Sequence, residues 1–339
     1  MKRLLWLALI PCVSAAAQQH ASLRGTVISA ETREPLGLTI VTLYPNVGKQ
    51  FTDAAGVFAF PDLTAGTYLL SVRQIGYVPL DTQLVLRPDA PTTLLIVLRH
   101  VAVELPAITV FGNSRCTRPG VPDRDVTPAL AAVFDQLIEN TRRLELLADS
   151  FPFRYRLERS QREVNRRGDS LRAQVDTLEF DQNETRRPYR PGLVVSPGSG
   201  PFSGYTVVQL ASLHELGDDA FHRTHCFRLA GRDTIEGETL VRIDFEPADH
   251  LGSSDIGGSA YLDSVSYGLR FTETRLTRPE RSELREVRSL VARTRFRDIA
   301  PGIALQDHVR AIWRYRTGTR QTRVETQRLL DVRFRRPLP

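Results

Sequence analysis

Lysine is nearly absent from this chain. Of 45 basic side chains only Lys2 and Lys49 are lysines, so a formal charge of +6 is carried by arginine. A guanidinium stays ionised and grips carboxylate or phosphate through two donors at once. Such a surface suits an anionic neighbour, whether phosphorylated lipid, acidic glycan or nucleic acid. Interleaved with Asp and Glu, as here, the same arginines also describe ordinary solvated strand faces. Cysteine is scarce too: Cys12, Cys116 and Cys226 are the only three. A structural zinc site built on paired cysteines is therefore excluded. No apolar run approaches the roughly 20 residues of a membrane helix. There is no Gly-x-Ser-x-Gly elbow for a nucleophilic serine and no Gly-Lys-Ser/Thr to cradle phosphates. The Ser196-Pro197-Gly198-Ser199-Gly200 stretch reads as a flexible loop.

The chain has 339 residues, a length that suits two domains, and 41% of them are hydrophobic, enough for a real core. Residues 1–17 read as an export signal. Lys2 and Arg3 precede a short apolar run at 4–10, and Ala15-Ala16-Ala17 offers small residues for cleavage near Ala17. Pro11 directly before Cys12 argues against lipid attachment there. Export to the periplasm or the outer membrane leaves a mature chain with two cysteines. In an oxidising compartment Cys116 and Cys226 are expected to pair. The bridge would close a loop of about 110 residues, worth about 4–5 kcal/mol in the chain-entropy model.

Residues 21–99 hold short alternating stretches at 22–29, 36–44, 50–52, 57–60, 66–75, 80–86 and 92–98. Glycine and aspartate turns separate them, which predicts a β-sandwich. Asp53-Ala54-Ala55-Gly56 is predicted as a tight hairpin turn, with Gly56 at positive φ. A polar linker occupies 100–126. Thr127 is predicted to cap a helix over 127–149, with Pro128 in its first turn and Leu130, Val133, Phe134, Leu137, Ile138, Leu144 and Leu147 on one face. From 150 to 339 the chain reads as long antiparallel strands. Those at 286–296, 305–315 and 323–334 alternate charged and apolar residues, as in a sheet with one wet face.

Gly25-x-Val27, Pro35-Leu36, Thr52-Asp53, Gly56-x-Phe58-x-Phe60, Gly66-x-Tyr68 and Gly76-Tyr77 together resemble the carboxypeptidase regulatory-like domain. The resemblance implies a transthyretin-like sandwich without catalytic residues, of the kind that often precedes outer-membrane receptors. The Val103-Glu104-Leu105-Pro106-Ala107-Ile108-Thr109-Val110 stretch looks like the connector found there. The chain beyond that connector is too short for a receptor barrel. Gly258-x-x-Tyr261-Leu262-Asp263-x-x-x-Tyr267 resembles a hairpin of envelope proteins whose sheet curls into a half-barrel, as in lipoprotein carriers. That implies a curved sheet with an apolar hollow. The stretch Cys116-x-Arg118-Pro119, the helix and Cys226-Phe227-Arg228-Leu229 look like exported carboxypeptidase-like regulatory proteins.

Zinc carboxypeptidases need His-x-x-Glu and a distant His. None of the 7 histidines has Glu three residues on, and His214-Glu215 lacks the second His of an H-E-x-x-H motif. Weak metal candidates are His222 and His225, close to His214 and Cys226, and the alternative is a polar loop before a strand. Asp244 with Glu246, or Asp255 with Asp263, could serve as paired acids, but such residues are usually solvated in a sheet. Arginines 154, 156, 159, 162, 166 and 167 cluster near Tyr155, yet an exported protein rarely meets nucleic acid. No catalytic residue and no cofactor is expected. The favoured reading is a mainly β, non-enzymatic envelope protein that binds or scaffolds a lipid, a glycan or an outer-membrane protein. A carrier or sensor of an apolar ligand is the alternative, and an envelope hydrolase with an unrecognised site is the third.

Overall fold

Seven short strands with apolar residues at alternate positions close over one core at the N-terminus. They are β1 (His20–Ser29), β2 (Ile40–Tyr44), β3 (Gly48–Phe51), β4 (Val57–Thr64), β5 (Gly66–Arg73), β6 (Leu80–Leu86) and β7 (Pro91–Leu98). The computed structural model of the protein describes residues 20–45, 47–88, 90–101, 115–182, 187–198, 202–300, 302–316 and 321–337. The leader at 1–17, the connector at 103–110 and Ser199-Gly200 lie outside the described residues. One sheet runs β4-β1-β7 and the other β3-β2-β5-β6. Leu23, Val27, Val41, Leu43, Phe58, Leu70 and Val72 fill the space between them.

The stretches on either side of Asp53-Ala54-Ala55-Gly56 do not form the expected hairpin. β3 pairs with β2, and β4 pairs with β1, so this turn carries the chain from one sheet to the other. Asp53 Oδ1 accepts from the amides of Ala55 and Val57, which closes the turn locally. Gly56 has φ +72°, and a Cβ there would lie 2.5 Å from the Val27 carbonyl oxygen. No side chain fits the left-handed turn against β1. Gly56→Ala is expected to cost about 1–3 kcal/mol, read as a lower urea midpoint. An unchanged midpoint would show that the crossing tolerates a Cβ.

The helix is α1 (Pro128–Ser150). Thr127 precedes it as expected, but its side chain makes no capping bond. Its hydroxyl donates to the Asp123 carbonyl instead, at 3.0 Å. Pro128 brings no N–H to be capped, which lessens the need. Val133, Phe134, Leu137 and Leu147 are fully buried against the second core. Gly76 and Gln74 of the sandwich touch a flank of the helix: Gln136 accepts from the Gly76 amide at 2.9 Å, and Arg143 donates to Gln74. Burial pushes the Arg143 guanidinium down to about 10.

That second core lies under a curved sheet of nine strands in the order β12-β13-β14-β15-β16-β17-β18-β8-β9. Its members are β8 (Phe153–Val164), β9 (Ser170–Asp181), β12 (His225–Ile235), β13 (Glu238–Pro247), β14 (Asp255–Asp263), β15 (Leu269–Thr277), β16 (Val287–Ala300), β17 (Ile303–Tyr315) and β18 (Thr322–Phe334). Neighbouring strands are antiparallel throughout. The sheet curls without closing into a barrel. Between β9 and β12 the chain leaves the sheet. A short ribbon of β10 (Val195–Pro197) and β11 (Thr206–Val208) leads to α2 (Leu213–Leu216) and α3 (Asp219–Thr224). This excursion and α1 cover the inner face. Among the described residues, no helix is long and apolar enough to cross a membrane.

Candidate functional site

Ser212 starts α2 with a capping box. Its hydroxyl accepts from the His214 amide, and the Glu215 carboxylate accepts from the Ser212 amide. Asp218 caps α3 by accepting from the amides of Ala220 and Phe221. The segment expected as a polar loop is thus two short helices, and its histidines point inward. His222 Nε2 lies 2.7 Å from the Leu216 carbonyl, and the ring meets Phe134 edge-on. His225 has its two ring nitrogens at 3.0 and 2.9 Å from the carbonyls of Phe221 and Ile256. It stacks on Phe221 with centroids 3.7 Å apart. Loss of hydration pulls the His225 pKa below the ordinary imidazole range, against the pull of those carbonyls and of Asp255. Cys226 is bonded to Cys116, with Cα atoms 5.5 Å apart. Among the described residues, no three His, Cys, Asp or Glu side chains converge as a metal site.

The acids are also engaged. Asp244 accepts from Arg228, Arg242 and Ser259, each at 2.7 Å. Burial alone would raise its pKa, but these three partners outweigh it and hold the carboxyl below its usual range. Asp255 is fully buried and takes the Tyr189 hydroxyl at 2.7 Å and the Gly192 amide at 3.1 Å. Burial and that carboxylate push the Tyr189 phenol up. On the sheet, Arg154 pairs with Asp181 at 3.2 Å, Arg156 with Asp331 at 2.8 Å and Arg270 with Asp298 at 2.9 Å.

The motif residues of the sandwich have structural duties. Thr52 Oγ1 donates to the Leu36 carbonyl at 2.6 Å and accepts from the Thr39 amide at 2.9 Å. The Tyr68 hydroxyl donates to the Thr64 carbonyl at 2.7 Å. A Cβ on Gly25 would strike the Phe58 ring at 2.5 Å, so only glycine lets that ring cross β1.

What is left is a hollow under the curved sheet, a cavity of about 390 Å³. Phe153, Tyr155 and Leu157 of β8, Phe180 of β9 and Phe296 of β16 give it an apolar wall. Leu144 and Ala148 of α1 close one side, and Phe202 and residues 207–211 of the covering excursion close another. Phe202 lies 5.3 Å from Phe180, ring to ring. Polar side chains line the rest, Gln182, Arg187 and His214 among them. Glu215 is held by Ser212 and by Gln209 at 2.9 Å, Gln306 donates to Gln327 at 3.4 Å, and Thr294 stands on the sheet floor.

Beyond Gln327 lies a buried ion pair. Arg159 donates through Nε to Glu325 Oε1 at 2.8 Å and through Nη2 to Oε2 at 3.2 Å. Only 3% of the Arg159 side chain is exposed, and its guanidinium sits 4.4 Å from the Tyr205 ring centre. Arg323 and Gln327 also donate to Glu325, at 2.6 and 3.0 Å. Burial pushes the Glu325 pKa up, but Arg159 and Arg323 more than offset it and leave the carboxyl below its usual range. Nothing local in the sequence marks this cavity. Its wall alternates apolar residues as any strand does, and its cover lies in a stretch that reads as loop.

The two-sheet sandwich and the duties of its Gly25, Thr52, Asp53 and Gly56 decide the first domain. Residues 22–99 match the family model of the carboxypeptidase regulatory-like domain. The regulatory-like domain thus accounts for the N-terminal sandwich and leaves the curved sheet outside the match. No curated protein matches the chain. Among solved structures, a minor pilin of Streptococcus agalactiae is 19% identical at a TM-score of 0.22. It is similar over 28% of this chain, which spans 49% of that one. A LolA superfamily protein of Nitrosomonas europaea is 10% identical, with 60% of this chain and 94% of that one covered at a TM-score of 0.32. A putative outer membrane lipoprotein-sorting protein domain of Vibrio parahaemolyticus is 10% identical, with 61% and 95% covered at a TM-score of 0.31. Likenesses this weak carry no argument about function.

Proposed function

We propose that this is an exported, non-enzymatic binding protein of the cell envelope that holds an apolar ligand under its curved sheet. The cavity carries the reading. Ligand pockets run from about 300 to 1,000 Å³ and are apolar with a few placed polar groups. A cavity of about 390 Å³ walled by Phe153, Tyr155, Leu157, Phe180 and Phe296 fits that description. The reading is that of a carrier or sensor, which the sequence ranks below a protein that binds or scaffolds an envelope component. Export rests on the leader pattern at 1–17 and on the bridge between Cys116 and Cys226. The regulatory-like domain, with its motif residues spent on turns and packing, serves as a folding unit docked on α1.

The test is titration of the purified mature chain with the neutral apolar dye N-phenyl-1-naphthylamine. Saturable fluorescence at one dye per chain is expected. Ala148 lines the hollow from the helix, so Ala148→Trp fills it. That variant is expected to weaken the dye by about tenfold or more, with an unchanged circular dichroism spectrum. Absence of saturable binding, or full binding by the filled variant, rules the reading out. Native mass spectrometry of protein taken from membranes then identifies what it carries.

A further inference from the structure

The outer face of the nine-stranded sheet carries its charges unevenly. Toward β12 and β13 the arginines have acids: Arg228 and Arg242 pair with Asp244, and Arg275 with Glu246. At one end of β8, Arg154 and Arg156 pair with Asp181 and Asp331. Between these regions the register sets arginine against arginine. Glu273 opposes Arg293, Arg293 opposes Arg310, and Arg310 opposes Thr326. Directly opposed residues share a face, and like charges placed opposite each other in a sheet are destabilising. One row along, Arg275 opposes Val291, Val291 opposes Ile312, Ile312 opposes Val324, and Val324 opposes Arg162. Ser289 and Arg314 oppose each other in the next row.

The acid nearest this cluster is Glu273, 4.0 Å from Arg293. Arg162, Arg310 and Arg314 are exposed, and among the described residues no carboxylate pairs with them. Apolar side chains lie among these cations. Val291 is 48% exposed, and Ile312 and Val324 are half-buried. Val175 of β9, opposite Ser160, is 65% exposed and extends the apolar ground to the sheet edge. Binding of single-stranded nucleic acid uses exposed rings on which bases stack. Among the described residues this face has no exposed Phe, Tyr or Trp, and the Phe271 ring is buried 5.0 Å from the Arg293 guanidinium. The strands from β16 to β9 span about 20 Å at the usual spacing. The result is a broad plate of guanidinium groups and short aliphatic side chains.

We infer that this plate docks on an anionic phospholipid surface. Arg162, Arg293, Arg310 and Arg314 meet lipid phosphates, each through two donors at once. Phosphates between Arg293 and Arg310 relieve their repulsion, and Val291, Ile312 and Val324 settle among the headgroups. None of these residues lines the hollow, so the docking face and the cavity stand or fall separately.

Co-sedimentation of the mature chain with vesicles of phosphatidylcholine and phosphatidylglycerol in equal parts, set beside phosphatidylcholine alone, tests this. Binding is expected to the mixed vesicles only, and to weaken steeply as salt shortens the Debye length. Arg310→Gln with Arg314→Gln is expected to weaken it about tenfold or more, because each cation beside an anionic leaflet adds its own attraction. Arg24→Gln with Arg87→Gln removes the same charge from exposed positions of the sandwich, and is expected to bind as the parent does. Val291→Trp is expected to show a blue shift of tryptophan emission on the mixed vesicles, beyond any in the parent, as the new ring leaves water. Equal losses in the two double variants would reduce the effect to net charge and overturn the docking face. An unshifted Val291→Trp emission at full binding would overturn it as well. Absence of binding to the mixed vesicles, with retention on heparin at the same salt, would make the partner a polyanionic glycan instead of a membrane.

Discussion

Glu325→Ala is expected to cost about 3–5 kcal/mol of stability, because it leaves the buried Arg159 guanidinium without its counter-charge. The pair is built for mutual dependence. Two parallel bonds join Arg159 to Glu325, Tyr205 covers the cation, and Arg323 and Gln327 use the remaining carboxylate lone pairs. Water cannot readily replace either partner at that depth. Urea unfolding of the single variants and of Arg159→Met with Glu325→Leu separates pairing from packing. The double variant is expected to recover much of the loss, since apolar residues of similar volume often match a buried pair. A loss below about 1 kcal/mol for Glu325→Ala would place the pair with weak surface bridges instead. The pH dependence has a definite sign. A carboxyl whose folded pKa lies below its unfolded value stabilises the fold above the unfolded pKa. That stability is lost as pH falls through the lowered folded pKa. Glu325 and Asp244 are both lowered, so stability falls on acidification below the ordinary carboxylate range. Glu325→Gln is expected to flatten that slope.

The long strands were legible because their signal is long. β16 to β18 and β8 each carry a dozen or so alternating residues, and period two over that length admits no other reading. The helix was legible for the same reason at a different period. The losses fall where the signal is short or non-local. Helices α2 and α3 have 4 and 6 residues, too few for periodicity to appear. The spacing Ser212-x-x-Glu215 was the available clue, since it is a capping box. The turn at Asp53 to Gly56 lies where its residues put it, but a turn residue does not say whether the chain returns to the same sheet. That depended on β1 lying behind Gly56.

The site was less legible than the fold. Arg159 and Glu325 are 166 residues apart and meet only through the pairing of β8 with β18. In the sequence Arg159 is one member of an arginine cluster that reads as a basic surface. Its neighbours Arg154 and Arg156 do reach acids on the exposed side. Side chains alternate across a strand, so one arginine in that run turns inward while the others turn out. Thr294 is likewise an ordinary strand residue until the cavity beside it is known. The histidines drew attention by residue type, and they serve as aromatic and hydrogen-bonded parts of the core.

Reduction of the bridge between Cys116 and Cys226 is expected to lower the stability of the C-terminal domain by about 4–5 kcal/mol, the entropy of a loop of about 110 residues in the unfolded chain. The bridge joins positions that the strand order keeps far apart in sequence. Cys116 precedes α1, whereas Cys226 opens β12 at one edge of the nine-stranded sheet. Between them run α1, β8 and β9 at the other edge, and the excursion that covers the cavity. Backbone bonds reinforce the closure: the Gly120 amide donates to the His225 carbonyl at 3.0 Å, and the Asp249 amide donates to the Cys116 carbonyl at 2.9 Å. The bridge therefore ties the segment that leads into the helix to the far edge of the sheet, and the loop it closes carries α1, β8, β9 and the excursion, which supply part of the wall of the hollow. Urea unfolding of the parent with and without reductant, set beside the double variant Cys116→Ser, Cys226→Ser, measures the effect. The regulatory-like domain has a core of its own and no cysteine, so its transition is expected to stay in place while the other moves. The circuit also sets an expectation for binding. Without the bridge, α1 and the excursion are held over the sheet by packing and by hydrogen bonds such as Thr272 to the Ala211 carbonyl, and the dye is expected to bind more weakly to the reduced chain. Coincident unfolding curves with and without the bridge would show that α1 and β12 stay together without it, and that the circuit adds no stability.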